Sequence, residues 1–146
     1  MSGMIPQFVG PYAFLSNAYP VKVTLDGLTF PSVENAYQAA KTLDVEKRLQ
    51  FTVCTATYAR KLGTQLPRRP DWEQIREDIL YKLLKQKFQK GTPLAQQLVK
   101  TGDAYLCDIN NTHSTYLGAC ICARCVYTKH HNALGELLMR IREELL

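Results

Sequence analysis

An uninterrupted apolar stripe constrains the fold of this chain more than any other feature of the sequence. Its members recur at three- and four-residue steps, as on one side of a helix: Trp72, Ile75, Ile79, Leu80, Leu83, Leu84 and Phe88. Asp71 precedes the stripe as a candidate N-cap and Gly91 follows it as a stop signal. The pattern predicts one long helix, whose apolar side other elements must cover.

Shorter elements are predicted around this helix from their caps and their apolar spacing. Five helices are expected, at residues 33–41, 45–51, 58–62, 93–101 and 132–146, with Ser32, Thr92 and Asn132 as caps and Gly63 ending the third. Before them, Val21, Val23 and Leu25 alternate with polar residues and lead into the hairpin turn Asp26-Gly27. The expected fold is a helix-dominated α+β single domain over residues 1–146, with a small N-terminal β-hairpin and about six helices.

Composition and charge limit the function classes. The chain is 46% hydrophobic and 21% charged, which is globular composition, and its net charge of +5 suits an anionic partner. The basic residues are dispersed, so a phosphorylated small molecule is favoured over nucleic acid. The sequence contains no run of about 18 consecutive apolar residues, so no membrane span is predicted. Five cysteines and no secretory signal predict reduced thiols and a cytoplasmic protein. The oligomeric state is left open.

Four stretches, in order along almost the whole chain, carry a resemblance to a known family. They are Phe8-Val-Gly-Pro-Tyr-Ala-Phe-Leu-Ser-Asn17, Phe30-Pro-Ser-Val-Glu-Asn-Ala-Tyr-Gln-Ala-Ala-Lys41, Arg69-Pro-Asp-Trp72, and Asn132-Ala-Leu-Gly135 followed by Leu137-Leu-Met-Arg-Ile-Arg142. Together they resemble the NADAR (YbiA-like) family. The resemblance implies an N-glycosidase that cleaves the bond between a ribose phosphate or ADP-ribose and a nitrogen-linked base, as in riboflavin intermediates or modified guanine. It implies no redox cofactor and no assigned metal.

Glu34 matches the family's carboxylate, the group that would stabilise an oxocarbenium-like transition state or position water. It lies in the first turn of its helix, where the positive helix end favours the ionised form, although an ordinary capping-region glutamate is the alternative. Gln38, four residues later, shares its helix face. The resemblance therefore makes Glu34 the expected catalytic residue.

Several further residues are candidates for ligand binding, each with a structural alternative. Trp72, the one tryptophan, is either an aromatic wall against a base or a core residue. The polar candidates, which are equally turn, surface or cap residues, are Ser16, Asn17, Lys41, His131 and Asn132.

One loop departs from the family pattern of an acid, two residues, then Trp-Gly. Ser114 stands at the acid and Leu117 at the tryptophan, while Gly118 keeps the glycine. His113 and Asp108 are the nearby groups that could compensate. Because serine cannot supply acid–base help worth about 10²–10⁴-fold, the sequence favours a protein that binds an ADP-ribose-type or ribose-phosphate N-glycoside with slow or no hydrolysis. Such a protein would sequester or sense a nucleotide, and a viral anti-defence sink is one such role. The alternative is an active N-glycosidase that uses Glu34.

A cysteine cluster precedes the last helix, where Cys120, Cys122 and Cys125 form a C-x-C-x-x-C pattern. With His130, these thiols would supply the four ligands of a tetrahedral zinc site. The other interpretation, which the spacing favours, is reduced thiols packing a tight loop.

Overall fold

Six α-helices are the main regular elements of residues 3–146, the part of the chain that this computed structural model describes. They are α1 (Val33–Ala39), α2 (Val45–Gln50), α3 (Ala56–Gln65), α4 (Trp72–Lys87), α5 (Pro93–Lys100) and α6 (Ala133–Glu144). None of the helices in this range is long and apolar enough to cross a membrane. The chain falls into two compact units: Asn17–Lys87, here the central unit, and the N-terminal residues through Ser16 with Phe88–Leu146, here the terminal unit.

The predicted hairpin lies in the central unit. Strand β2 (Val23–Leu25) pairs antiparallel with β3 (Leu28–Phe30), following β1 (Met4–Ile5) in chain order. The turn has positive φ at Asp26 (49°) and Gly27 (84°), the conformation expected of an Asp-Gly turn. Arg48 on α2 donates to the Asp26 carboxylate at 2.7 Å, so this ion pair links the turn to a helix. The predicted hairpin is confirmed.

Helix α1 is the inner helix of the central unit, with every residue buried, and it packs against α3 and α4. Its start is as predicted, because the Ser32 hydroxyl accepts from the backbone N–H of Asn35. The Asn35 side chain also donates to the carbonyls of Phe51 and Cys54, at 2.9 Å each. These bonds join α1 to the segment between α2 and α3.

Several helix boundaries differ from the prediction by a few residues, and two of the differences have a clear consequence. Helix α3 runs through Gly63 to Gln65 instead of ending at residue 62. A Cβ atom at Gly63 would collide with the Gln38 side-chain amide, so the glycine permits close helix packing rather than stopping the helix. Helix α4 ends at Lys87, before the predicted stop at Gly91, although Trp72, Leu80 and its other apolar residues face the core as expected.

The terminal unit combines α5 and α6 with a 3₁₀ helix (Gly10–Leu15) and short strands. Strand β1 pairs in parallel with β4 (Tyr105–Leu106), and β5 (Ile109–Asn110) pairs in parallel with β6 (Ala119–Cys120). Residues 101–128 therefore contain three two-residue strands. Helix α5 begins at the predicted Thr92 cap, whose hydroxyl accepts from Ala95 N–H.

Asn132 stands at the predicted start of α6, but its side chain does not cap the helix. Its backbone is left-handed, with φ of 47°, and its amide donates to the Leu106 carbonyl at 2.9 Å. The residue therefore attaches α6 to β4. Gly135, one turn later, allows this close approach, because a Cβ there would collide with the same carbonyl.

Candidate functional site

The predicted catalytic carboxylate is buried. Glu34 is 3% exposed, in the first turn of α1, and its backbone N–H donates to the Asn17 carbonyl at 2.8 Å. This bond satisfies one of the N–H groups that a helix start leaves without an intrahelical partner. Asn17, the last residue of the first family-like motif, is thereby bonded to the backbone of Glu34 in the second.

Both carboxylate oxygens of Glu34 have partners in the central unit. Arg60 of α3 donates to Oε1 through two nitrogens, at 2.7 and 3.2 Å, and Gln38 donates to Oε2 at 2.8 Å. The Arg60 side chain is 52% exposed, whereas that of Glu34 is 4% exposed. Gln38 of the same helix therefore holds one oxygen of the buried carboxylate, and the half-exposed Arg60 of α3 holds the other.

Two buried amides beside this carboxylate retain hydrogen-bonding capacity. Asn17 is 4% exposed, and neither its side-chain oxygen nor its nitrogen has a partner among the described residues. The side-chain oxygen of Gln38 is also buried without a partner there. Buried polar atoms normally find partners, because leaving them unpaired costs free energy. These amides are therefore able to hydrogen-bond a ligand hydroxyl or water.

Lys41 lies near the same carboxylate and is 7% exposed. Burial, then the nearby charge of Arg68, lowers the pKa of Lys41 to about 8, while Glu34 acts in the opposite direction. We call Asn17, Glu34, Gln38, Lys41 and Arg60 the Glu34 cluster.

Trp72 is a core residue in this structure. Its indole is 3% exposed and packs on Tyr37 of α1, with ring centroids 5.1 Å apart and planes tilted by 58°. Just before it, Arg69 forms a two-nitrogen ion pair with Asp71, at 2.7 and 3.0 Å. Trp72 therefore supports the helix that carries Glu34, and its predicted contact with a base is not tested.

The remaining predicted ligand residues lie in the terminal unit. Ser16 ends the 3₁₀ helix there, with its N–H bonded to the Ala13 carbonyl. The backbone of residues 115–117 pairs with the start of α6, where the N–H groups of His131, Ala133 and Leu134 donate to it. The His131 ring also contacts Tyr116, with centroids 5.7 Å apart. The structure thus brings Leu117 and its loop to His131 and Asn132.

One side chain organises the loop that contains Ser114. The Asn110 nitrogen donates to the carbonyls of Ser114 and Ala119, and its oxygen accepts from the N–H groups of Thr112 and Ser114. Gly118 is needed nearby, because a Cβ there would collide with the Asp108 carbonyl. The segment 110–119, here the Asn110 loop, is shaped mainly by these bonds.

His113 of this loop lies among the thiols of Cys120, Cys122 and Cys125, and the ligand atoms are all within 4.8 Å of one another. The histidine of the predicted zinc set was instead His130, which is not part of this group. Hydrogen bonds from the Cys122 backbone, and from other cluster members, lower the pKa of Cys120 to about 6. Burial first, then the neighbouring thiols, raises the pKa of Cys125 to about 11.

The surface hollows of the terminal unit do not coincide with the predicted site. Three cavities of about 380–450 Å³ are lined by residues of the terminal unit, such as Tyr12, Lys100 and Asn111, and by none of the predicted site residues. Glu34 is covered by its own partners instead.

Comparison with known proteins decides the family. A family model described as NADAR domain matches residues 6–146. The chain belongs to the NADAR family. This NADAR chain is 34% identical over 139 residues to the N-glycosidase YbiA of Escherichia coli, covering 92% of the chain and 82% of that protein. It is 35% identical over 138 residues to a riboflavin biosynthesis protein of Vibrio vulnificus, but it spans only 36% of that protein's length.

The fold of the NADAR chain agrees with this assignment. The NMR structure of E. coli YbiA matches it with a TM-score of 0.80 and 30% identity, over 99% of this chain and 86% of that one. The predicted helix-dominated, YbiA-like α+β fold is confirmed. Sequence reasoning did not single out Arg60, because no local pattern indicates that α3 delivers it to Glu34.

Proposed function

We propose that this NADAR domain is an N-glycosidase that hydrolyses the C–N bond of a phosphorylated ribosyl N-glycoside, with Glu34 as its catalytic carboxylate. The observation that carries the proposal is the burial of Glu34 together with partners on both of its oxygens. Taking a charge out of water costs free energy, and such groups concentrate at functional sites. The names of two relatives, an N-glycosidase and a riboflavin biosynthesis protein, support this type of reaction.

The proposed reaction gives Glu34 two tasks. As the C–N bond breaks, its electron pair leaves with the base nitrogen and positive charge develops on the ribose. The Glu34 carboxylate stabilises that charge and accepts a proton from the water whose oxygen bonds to the anomeric carbon. That proton equivalent then passes to the departing base, which completes the hydrolysis.

Arg60 and Lys41 are the cations available for a phosphate, and the unpartnered Asn17 amide is available for a ribose hydroxyl. Arg60 already pairs with Glu34, so a phosphate that attracts its guanidinium would free one carboxylate oxygen for the sugar. An anionic substrate would thereby uncover the group that acts on it. ADP-ribose-type and ribose-phosphate glycosides both carry the required anion.

The test is release of free base from a panel of ribosyl N-glycosides, followed by chromatography and mass spectrometry. The panel includes a ribosylaminopyrimidine phosphate, an ADP-ribosylated guanosine and their unphosphorylated counterparts. We expect wild-type protein to release base from a phosphorylated member and Glu34→Gln to lower the rate by about 10²–10⁴-fold. Glu46→Gln, in the first turn of α2 and exposed, is the matched control and should retain activity.

Full activity in Glu34→Gln would show that the carboxylate assignment is wrong.

A second candidate function, sequestration without turnover, is favoured by the uncharged Ser114 and the non-aromatic Leu117 at two positions of the family pattern. Tight binding of a phosphorylated glycoside that is recovered intact would support that function and contradict the proposed hydrolysis.

A further inference from the structure

We propose that His113, Cys120, Cys122 and Cys125 bind one Zn²⁺ ion, in a closed site that fixes the Asn110 loop. The proposal concerns the terminal unit alone and does not depend on the proposed function. We call these four residues the Cys₃His cluster. It combines three thiol sulfurs and one imidazole nitrogen, which is among the ligand sets of structural zinc sites.

The distances within the cluster match a tetrahedral zinc ion. Bonds of about 2.3 Å to sulfur and about 2.0–2.1 Å to nitrogen place sulfurs about 3.8 Å apart and nitrogen about 3.6 Å from each sulfur. In the structure, His113 Nδ1 lies 3.2 Å from Cys125 Sγ, 3.5 Å from Cys122 Sγ and 3.8 Å from Cys120 Sγ. The sulfurs of Cys120 and Cys122 are 3.5 Å apart. All four separations are within a few tenths of an ångström of the ideal values.

The backbone brings these atoms together from two directions. The Asn110 side chain closes the turn that carries His113, which has a left-handed backbone with φ of 64°. A non-glycine residue in that conformation is uncommon and is held there by its surroundings. On the other side, Cys125 N–H bonds to the Cys122 carbonyl at 3.0 Å, in a tight turn like those of zinc-binding C-x-x-C segments. Both turns point their ligand atoms at one place.

The ligand chemistry favours zinc in a structural role. Soft thiolates select zinc over magnesium or calcium, and four protein ligands leave no coordination position open for catalysis. Cys54 and Cys107, the other cysteines, are not part of the group. The strands β5 and β6 of the surrounding segment have only two residues each, and the segment is otherwise ordered by the Asn110 bonds and by pairing with the start of α6. A bound ion would therefore supply cross-linking that the loop's backbone pairing provides only sparsely.

The first experiment measures metal content of the full chain after purification with zinc present and dialysis against metal-free buffer. We expect about one zinc per chain in the wild type, and loss of zinc in His113→Ala and Cys122→Ser. The matched controls are His130→Ala and Cys54→Ser, which should retain it. A zinc-free wild type, or retention by His113→Ala with loss in His130→Ala, would overturn the proposed site.

A second measurement avoids variants that fold poorly. Wild-type protein is reduced, stripped with a chelator and titrated with Co²⁺, then with Zn²⁺, while free thiols are counted with a chromogenic reagent. We expect intense thiolate-to-cobalt absorption with tetrahedral ligand-field bands, displaced by zinc, and protection of three thiols. Protection in Cys54→Ser should be unchanged. Weak octahedral cobalt bands, thiols equally reactive with and without zinc, or a disulfide within the cluster in anaerobically isolated protein would overturn the assignment.

The size of the loss in zinc affinity distinguishes a residue that binds the ion directly from one that only supports a ligand. Loss of a group that merely orients a ligand typically weakens metal binding by about 10–100-fold. We expect His113→Ala to weaken zinc binding by more than about 100-fold in a competition with a fluorescent chelator. Asn110→Ala, which removes only the loop closure, should fall within that 10–100-fold range. An equal or smaller effect for His113→Ala would contradict direct coordination.

Discussion

Substitution of Gly63 tests whether the packing of α1 against α3, next to the Glu34 cluster, determines the stability of the protein. Alanine inside a helix is normally more stable than glycine by about 1 kcal/mol. At Gly63, however, the new Cβ would occupy the position of the Gln38 amide, which is 5% exposed and bonded to Glu34. Overpacking costs about 1–3 kcal/mol, and a lost hydrogen bond to a charged group about 1.5–3 kcal/mol. The costs overlap, because moving the amide relieves the collision.

We therefore expect Gly63→Ala to destabilise the protein by about 2 kcal/mol after the helix gain is subtracted. At a urea m-value of about 2 kcal/mol/M, the unfolding midpoint would fall by about 1 M. In a Gln38→Ala background the obstructing amide is gone, although the contact at 3.2 Å to the Cβ of residue 38 remains. There, the same substitution should be neutral or stabilising, by up to about 1 kcal/mol.

The assay is urea unfolding of the four proteins of this double-mutant cycle, followed by circular dichroism, with m-values compared. The reversal of sign between backgrounds is the diagnostic result. A Gly63→Ala effect that is equal in both backgrounds, or stabilising in the wild type, would refute the role assigned to the Gln38 contact.

Two further predictions concern other buried positions. Burial lowers the pKa of Lys87 from 10.5 to about 7. The unfolded chain therefore binds more protons than the folded one between these pH values, and the free energy of unfolding should rise with pH across that window. Urea unfolding at several pH values should show that Lys87→Met flattens this rise and raises stability at pH 6–7 by up to about 5 kcal/mol. Gly135→Ala would press a Cβ against the Leu106 carbonyl, a backbone atom that cannot rotate away; we expect a thermal midpoint lower by roughly 5–10 °C in calorimetry, and an unchanged midpoint would contradict this packing.

Local chemistry explains which elements could be predicted from the sequence. Ser32, Asp26-Gly27 and Thr92 act through their own or neighbouring backbone groups, and the structure has the expected cap or turn at each. Gly63 was misjudged because its role is a contact with Gln38 on another helix, whereas a glycine near a helix end normally predicts a stop.

The candidate site likewise combines local features, which the sequence predicts, with tertiary contacts, which it does not. The catalytic role of Glu34 rests on its family motif and stays a prediction, whereas its bond with Gln38 follows from four-residue spacing. Arg60 lies 26 residues from Glu34, so only tertiary packing brings them together. His130 was chosen for the zinc set because it follows the cysteines closely. The structure places His113 there instead, because Asn110 turns the preceding segment back toward the thiols.

The Asn110 loop has a consequence for how this chain tolerates change. A single amide bonds four backbone groups of the segment, which a longer strand pairing would otherwise have to hold. Side chains there other than that of His113 can therefore be exchanged with these bonds intact, provided that the asparagine and the glycine at 118 persist. Such a loop is a natural place for new chemistry to arise on an inherited scaffold, and it is where this chain has both its altered family positions and its histidine among thiols.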